Sequence, residues 1–154
     1  MFMAGLILVF STALFFFYIQ AFCERVLRRE FDRAYFHDII NAIQLEFPQL
    51  REALTASAPI DYPHVKVALK CDFATLSYLL KNSDRKRQSL PREDKALILY
   101  FRFLMFCLPF RYAMRLGSRE AVVKLTTILQ YFANSIGEKV GGPQTLGMAT
   151  GQLT

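Results

Sequence analysis

The sequence predicts an all-α protein with one N-terminal transmembrane helix followed by a small cytoplasmic helical bundle. Residues 1–23 carry no charged side chain, and a stretch of this length is enough to cross a bilayer. Beyond it, apolar residues recur at the three- and four-residue spacing of amphipathic helices, and no strand-like alternation competes with that pattern. We therefore expect a span over 1–23, a helical stalk over 24–35, a bundle of about four helices over 36–136 and a flexible glycine-rich tail over 137–154.

The first segment has the length and composition of a membrane helix. A helix rises about 1.5 Å per residue, so roughly 20 residues cross a hydrocarbon core of about 30 Å. Its apolar character runs around every side, which disfavours a core helix of a soluble protein. A cleaved signal peptide needs a basic beginning and a small-residue cleavage site, and the segment has neither. The sequence thus favours a retained span.

The charges that follow the span predict its orientation. No base precedes it, whereas Arg25, Arg28 and Arg29 follow it closely. Positively charged flanks stay in the cytoplasm, so the N-terminus is expected outside and the rest of the chain in the cytoplasm. Tyr18 lies near the expected inner interface, where an amphipathic ring is favoured. Residues 24–35 contain no proline or glycine, so we expect the helix to continue as a stalk.

Aromatic and basic residues form the predicted contact set for lipid or partner subunits. Three consecutive phenylalanines cover several directions of the span, which suits lipid or a groove between larger helices. The full predicted set is Phe15, Phe16, Phe17, Tyr18, Arg25, Arg28, Arg29, Arg102 and Arg111.

Prolines, glycines and apolar stripes outline the bundle. Pro48 is expected to end or kink the first helix and to open a short second one. Pro91 is expected to start another helix. Gly117 and Gly137 are expected to end helices. Lys66 and Lys70 should face water. The expected buried stripes are Phe36, Ile39, Ile40, Ile43 and Phe47, then Val65, Leu69, Phe73, Leu76 and Leu80, then Val122, Leu125, Leu129, Phe132 and Ile136.

A second apolar run, residues 96–116, allows three interpretations. It can be the central helix of the bundle, a helix lying on the membrane surface or a second span. Arg102 inside a span costs about 2.5–3.5 kcal/mol, and Pro109 would kink it, so spanning is the least favoured. The chain supplies amphipathic partners for a core helix. Arg102, Arg111 and Arg115 would also draw the run toward an anionic leaflet.

Composition limits the classes of partner that are expected, and it argues against disulfide, zinc and cofactor sites. The net charge of +6 fits an anionic lipid surface, an acidic partner or nucleic acid. The basic run Arg85, Lys86 and Arg87 lacks interleaved aromatics and is diluted by acids, so no nucleic-acid partner is expected. Three cysteines without a CxxC motif argue against a disulfide framework and a zinc site. No metal site and no cofactor are predicted.

No pattern of residues indicates catalysis. His37 and Asp38 are neighbours in sequence, and neighbouring residues on a helix do not face each other. No HExxH, GxSxG, Walker or GxGxxG motif is present. We therefore expect no catalytic residues.

These observations predict a non-catalytic, single-pass accessory or assembly subunit of a larger membrane complex. Its partners would be membrane lipids and the other subunits. By analogy, a respiratory or photosynthetic electron-transfer complex is a natural host, because such assemblies recruit small one-helix subunits. The alternative is a membrane-anchored cytoplasmic adaptor that recruits a soluble partner. A membrane-lipid enzyme is less favoured, and its site would place His37 or His64 beside an acid or Cys71.

Overall fold

A computed structural model describes residues 2–29, 36–56, 59, 61–83, 90–115 and 117–148 of the chain. All regular secondary structure in these ranges is helical, which confirms the predicted fold class of an apolar N-terminal helix followed by a bundle. The helices are α1 (Phe2–Leu27), α2 (Phe36–Ile43), α3 (Phe47–Thr55), α4 (Tyr62–Ser83), α5 (Arg92–Ala113) and α6 (Ser118–Met148).

Helix α6 is the centre of the bundle, because every other helix packs against it. It begins just after Gly117, whose φ of 57° is a left-handed conformation that glycine adopts without steric cost. Its predicted stripe is fully confirmed, since all five positions from Val122 to Ile136 are buried. Burial also extends to Ala121, Ile128 and Ala133, outside that stripe. A helix buried on several sides is expected where it forms the core of the domain.

Helices α4 and α5 lie antiparallel to each other. The ring of Tyr62 stacks on that of Tyr112 with centroids 4.5 Å apart, and Phe73 stacks on Phe101 at 4.1 Å. Residue numbers therefore rise along α4 as they fall along α5.

Helices α1 and α5 are also antiparallel. Phe16 stacks on Phe103 with centroids 4.2 Å apart, and the Cys23 thiol lies 3.7 Å from the Ala96 carbonyl oxygen, to which it donates. The apolar N-terminal part of α1 is thus directed toward the end of the bundle that contains residues 62–70 of α4 and 105–113 of α5. We call this end the anchor end.

A buried carboxylate from α4 caps α3. Asp72 accepts hydrogen bonds from the backbone N–H groups of Glu46 at 3.0 Å and Phe47 at 2.7 Å. These groups are among the donors that a helix start leaves without an intrahelical partner. Burial raises the pKa of the Asp72 carboxyl above its usual value, although the two backbone hydrogen bonds act in the opposite direction. Sequence periodicity did not single out this residue.

The predicted stalk over 24–35 differs from the structure in part of its described residues. Helix α1 ends at Leu27, and Arg28 and Arg29 are not helical. Its last turns do not extend freely, because Cys23 and Val26 are buried in the core and Glu24 lies 3.4 Å from the Lys124 ammonium. Apolar positions at helical spacing therefore dock the end of α1 against α5 and α6.

Two predicted helix ends also differ from the structure. Helix α6 does not stop at Gly137 but continues to Met148, so this part of the predicted tail is helical. Glycine costs about 1 kcal/mol in a helix interior, and the buried Gly137 is followed by Lys139, which pairs with Asp94. Helix α2 ends at Ile43, before Pro48, because Gln44 adopts a left-handed φ of 55°.

Some predicted features fall on residues that the structure does not describe. They are the remaining stalk residues 30–35, the basic run Arg85, Lys86 and Arg87, and the last tail residues 149–154.

Candidate functional site

The exposed part of α1 is the most unusual surface of the described chain. Every side chain over residues 3–18 is exposed, yet the region Met3–Leu27 has a mean hydropathy of 2.1 and only 6% of its apolar window is buried. Contiguous apolar surface of this extent marks a membrane or protein contact. This segment is therefore the candidate membrane site.

Helix α5 is a second helix that is long and apolar enough to cross a membrane. Its mean hydropathy is 1.4, and 33% of its window is buried. The buried share comes from one side, where Leu97, Phe101, Leu104 and Leu108 enter the core. Length and composition thus make α5 a candidate membrane span, whereas its packing makes it part of the bundle.

The predicted aromatic contacts do not all face outward. Phe15, Phe17 and Tyr18 are exposed, with Phe17 and Tyr18 at 70%. Phe16 is the least exposed of them at 37%, because its ring lies against Phe103 of α5. The structure therefore makes Phe16 part of the joint between α1 and the bundle, a role that its place in the phenylalanine run did not indicate.

The basic residues that follow the span are grouped at the end of α1. Arg25, Arg28 and Arg29 are all exposed. The Arg29 guanidinium lies 3.6 Å from the Glu138 carboxylate of α6. These bases therefore surround the opposite end of the bundle from the anchor end.

Arg102 and Arg111 do not form one basic patch. Nine residues separate them on the same helix, which is about two and a half turns, so they lie on opposite sides of α5. Arg102 is exposed on the side that faces α4, whereas Arg111 is half-buried. The structure does not bring the two predicted contacts together.

A groove between α4 and α5 extends to the anchor end. It holds a cavity of about 450 Å³, and a second cavity of about 470 Å³ continues past Phe73 and Arg102, which line both. The first cavity, here called the α4–α5 groove, is lined by Lys66, Lys70, Phe73, Phe101, Arg102, Met105, Phe106 and Pro109. Its floor is apolar, and its charged side chains are all cationic.

The cations of the groove have no anionic partner in the described chain. Among the described residues, Lys66, Lys70 and Arg102 take part in none of the ion pairs, and no acid lines the groove. The sequence placed Lys66 and Lys70 in water but did not place them opposite Arg102. Their four-residue spacing indicated a shared helix side, whereas the antiparallel pairing of α4 with α5 is tertiary information.

A polar cavity of about 460 Å³ lies at the opposite end, near Arg29 and Glu138. Its most buried charge is Asp94, which is 3% exposed and lies 3.5 Å from the Lys139 ammonium. Tyr131 and Ser135 complete part of its wall. This arrangement is that of a structural ion pair joining α5 to α6, in which each charge has an opposite charge beside it, although the buried Lys139 ammonium makes no hydrogen bond within the described chain.

The structure places one histidine and one acid in a shared cavity, an arrangement that the alternative of a membrane-lipid enzyme predicts. His64 and Asp61 line a small cavity of about 190 Å³ without a cysteine. Cys71 is exposed two turns further along α4. In the ranges that the structure covers, no group of three or more His, Cys, Asp or Glu side chains is placed to hold a metal ion.

Comparison with known proteins gives no match, whether with protein-family models, curated proteins or solved structures. We therefore infer the function from the geometry of the described residues.

Proposed function

We propose that the chain is a non-catalytic, single-pass accessory subunit of a larger membrane complex, anchored by α1 with its bundle on the cytoplasmic surface. One observation carries the proposal: every side chain of the apolar helix over residues 3–18 is exposed, Phe16 the least among the large apolar ones, and this helix is joined to a packed bundle. Sixteen residues of this kind need lipid or protein around them, and at about 1.5 Å per residue they cover roughly 24 Å of a hydrocarbon core of about 30 Å.

The packing of α5 supports a single span. Leu97, Phe101, Leu104 and Leu108 fill the core against the central helix α6, so moving α5 into lipid would leave that core open. A spanning α5 would also place Arg102 in hydrocarbon, at a cost of about 2.5–3.5 kcal/mol. Residues 3–18 of α1 have neither obstacle, because all of them are exposed and none is charged.

The same geometry supports a bundle that lies directly on the membrane. Because the last turns of α1 are packed into the bundle, little chain is left to hold the bundle away from the bilayer. Phe110 follows Phe103 by two turns of α5, so it lies on the side that faces α1. Phe106 and Phe110 are 81% and 65% exposed. One side of α5 would thus pack in the core of the bundle, and the other side would contact the membrane interface.

Orientation follows from the bases after α1. Arg25, Arg28 and Arg29 favour the cytoplasmic side for the bundle. Cys71 is exposed, so a membrane-impermeant maleimide tests this placement in intact cells. The Cys23→Ser/Cys107→Ser variant should label only after the membrane is permeabilised. Labelling before permeabilisation would show that the bundle lies on the outer side of the membrane.

Association with a complex is tested by mild detergent extraction of native membranes, a native gel and mass spectrometry of the band. Migration with a stoichiometric set of larger subunits supports the accessory role and identifies the host, for which an electron-transfer complex remains our prediction. Migration alone, near the mass of a monomer or dimer, contradicts it. Phe17→Ala, at an outward position of α1, should weaken co-migration where that side meets protein.

A further inference from the structure

We propose that the α4–α5 groove binds one anionic phospholipid, with its phosphate at Lys66, Lys70 and Arg102 and an acyl chain along the apolar floor. The inference rests on the membrane anchoring proposed above and adds a ligand that the anchor itself does not require.

The shape and lining of the groove fit an amphiphile. Its volume of about 450 Å³ lies within the range of about 300–1,000 Å³ that is usual for ligand sites. Phe73, Phe101 and Met105 provide an apolar floor for an acyl chain. A small soluble anion would leave this apolar surface uncovered.

The charges of the groove favour a ligand with a negative charge. All three charged side chains that line it are cationic, and none has an ion-pair partner within the part of the chain that the structure describes. Arginine and lysine are the side chains that proteins use to bind phosphate. An unbalanced cationic rim over an apolar floor therefore complements a lipid with a negatively charged head group.

The position of the groove makes the bilayer its nearest source of such a ligand. Lys66, Phe106 and Pro109 of the groove lining belong to the anchor end, toward which the apolar part of α1 is directed. Phe106 lines the groove and is also 81% exposed on the outer side of α5. Because Phe106 belongs to both surfaces, a lipid of the facing leaflet can enter sideways without leaving the interface.

The absence of tryptophan from the sequence provides a selective optical test. Phe73→Trp places a reporter at the groove floor of the full-length chain in nonionic detergent micelles. Phosphatidylglycerol with brominated acyl chains, which quench tryptophan on contact, is then titrated, with brominated phosphatidylcholine as the comparison. We expect phosphatidylglycerol to quench at a markedly lower mole fraction.

Two matched charge variants are then added to this reporter. Lys70→Gln/Arg102→Gln removes two exposed groove cations and should raise the half-quenching mole fraction by about 25-fold, roughly fivefold for each base near the phosphate. Arg92→Gln/Lys95→Gln removes two exposed cations outside the groove and should leave the titration unchanged. Circular dichroism checks that each variant retains its helix content.

Several results would overturn the inference. Equal quenching by both lipids, or equal effects of the two charge variants, would show that the groove does not recognise the anionic head group. Full protection by excess inorganic phosphate or by an acidic peptide would assign the site to that ligand instead. If Phe73→Trp does not fold, native mass spectrometry of the tryptophan-free chain and its charge variants decides, through retention of phosphatidylglycerol against phosphatidylcholine.

A second tryptophan reporter distinguishes a groove that binds no lipid from an α1 helix that does not enter the bilayer. Phe17→Trp, in vesicles that contain either brominated lipid, should be quenched when α1 lies in the bilayer. Quenching at Phe17→Trp without quenching at Phe73→Trp contradicts the groove site alone. Loss of both signals contradicts the membrane anchoring as well.

Discussion

The ring of Phe16 in α1 lies on the ring of Phe103 in α5, with centroids 4.2 Å apart and an interplanar angle of 19°. Such aromatic pairs contribute about 0.5–1.5 kcal/mol beyond the burial of their surface. With the contact of Cys23 to Ala96 and the ion pair of Glu24 with Lys124, this stack fixes the direction in which α1 leaves the bundle. The joint connects the candidate membrane helix to the groove-bearing helix.

Phe103→Ala should loosen this joint. The half-buried ring is lost together with its stack, so we expect the free energy of unfolding to fall by about 2 kcal/mol. Thermal unfolding followed by circular dichroism in detergent measures the change. Phe110→Ala is the matched control, because that ring is 65% exposed, and it should cost less than about 0.5 kcal/mol. Equal losses in the two variants would contradict a structural stack.

Asp72→Ala should destabilise the start of α3. The substitution leaves the backbone N–H groups of Glu46 and Phe47 without their carboxylate acceptor, at an expected cost of about 1–3 kcal/mol. Asp72→Asn keeps an acceptor oxygen of the same reach and should retain most of the stability. Urea unfolding at neutral pH compares the three proteins. An Asn variant as unstable as the Ala variant would argue against a capping role.

The pKa of Asp72 makes this comparison depend on pH. Burial raises the folded-state pKa above the ordinary value of 3.8, so just above that pH the folded state holds more protons than the unfolded state. The contribution of Asp72 to stability is therefore greatest below pH 3.8 and falls as the pH rises through the folded-state pKa. Asp72→Asn does not titrate, so its stability relative to the wild type should increase from pH 4 toward neutrality. A constant difference across this range would contradict the raised pKa.

Lys139→Met should lower the free energy of unfolding far more than the removal of a surface lysine does. It leaves the Asp94 carboxylate, only 3% exposed, without its partner at 3.5 Å, and breaking a buried pair in this way costs about 3–5 kcal/mol. Lys124→Met breaks two partly exposed pairs, with Glu24 and Glu120, and should cost less than about 1 kcal/mol. Chemical unfolding of both variants provides the comparison.

A double variant separates loss of the charge pair from loss of lysine packing. Asp94→Asn, added to Lys139→Met, removes the unpaired charge and should recover roughly half of the lost stability. No recovery would indicate that the aliphatic part of Lys139, rather than its charge, holds α6 against α5.

Local sequence signals predicted most of the helical elements. The stripe from Val122 to Ile136 sits at helical spacing and is buried throughout, because periodicity reports which side of a helix avoids water. Pro91 lies directly before α5, and Gly117 directly before α6. The same local rules failed at Gly137, where burial and the Lys139 pair outweigh a weak propensity.

The sequence by itself determined the helical class, the apolar segment at its beginning and the bases that follow, because composition and periodicity act over neighbouring residues. Only the tertiary structure decided that the end of α1 docks instead of forming a stalk, and that Lys66 and Lys70 line the same groove as Arg102. These outcomes depend on how α1 and α4 each run antiparallel to α5. Such pairing joins residues far apart in the chain, and its energy comes from the burial of whole helix sides.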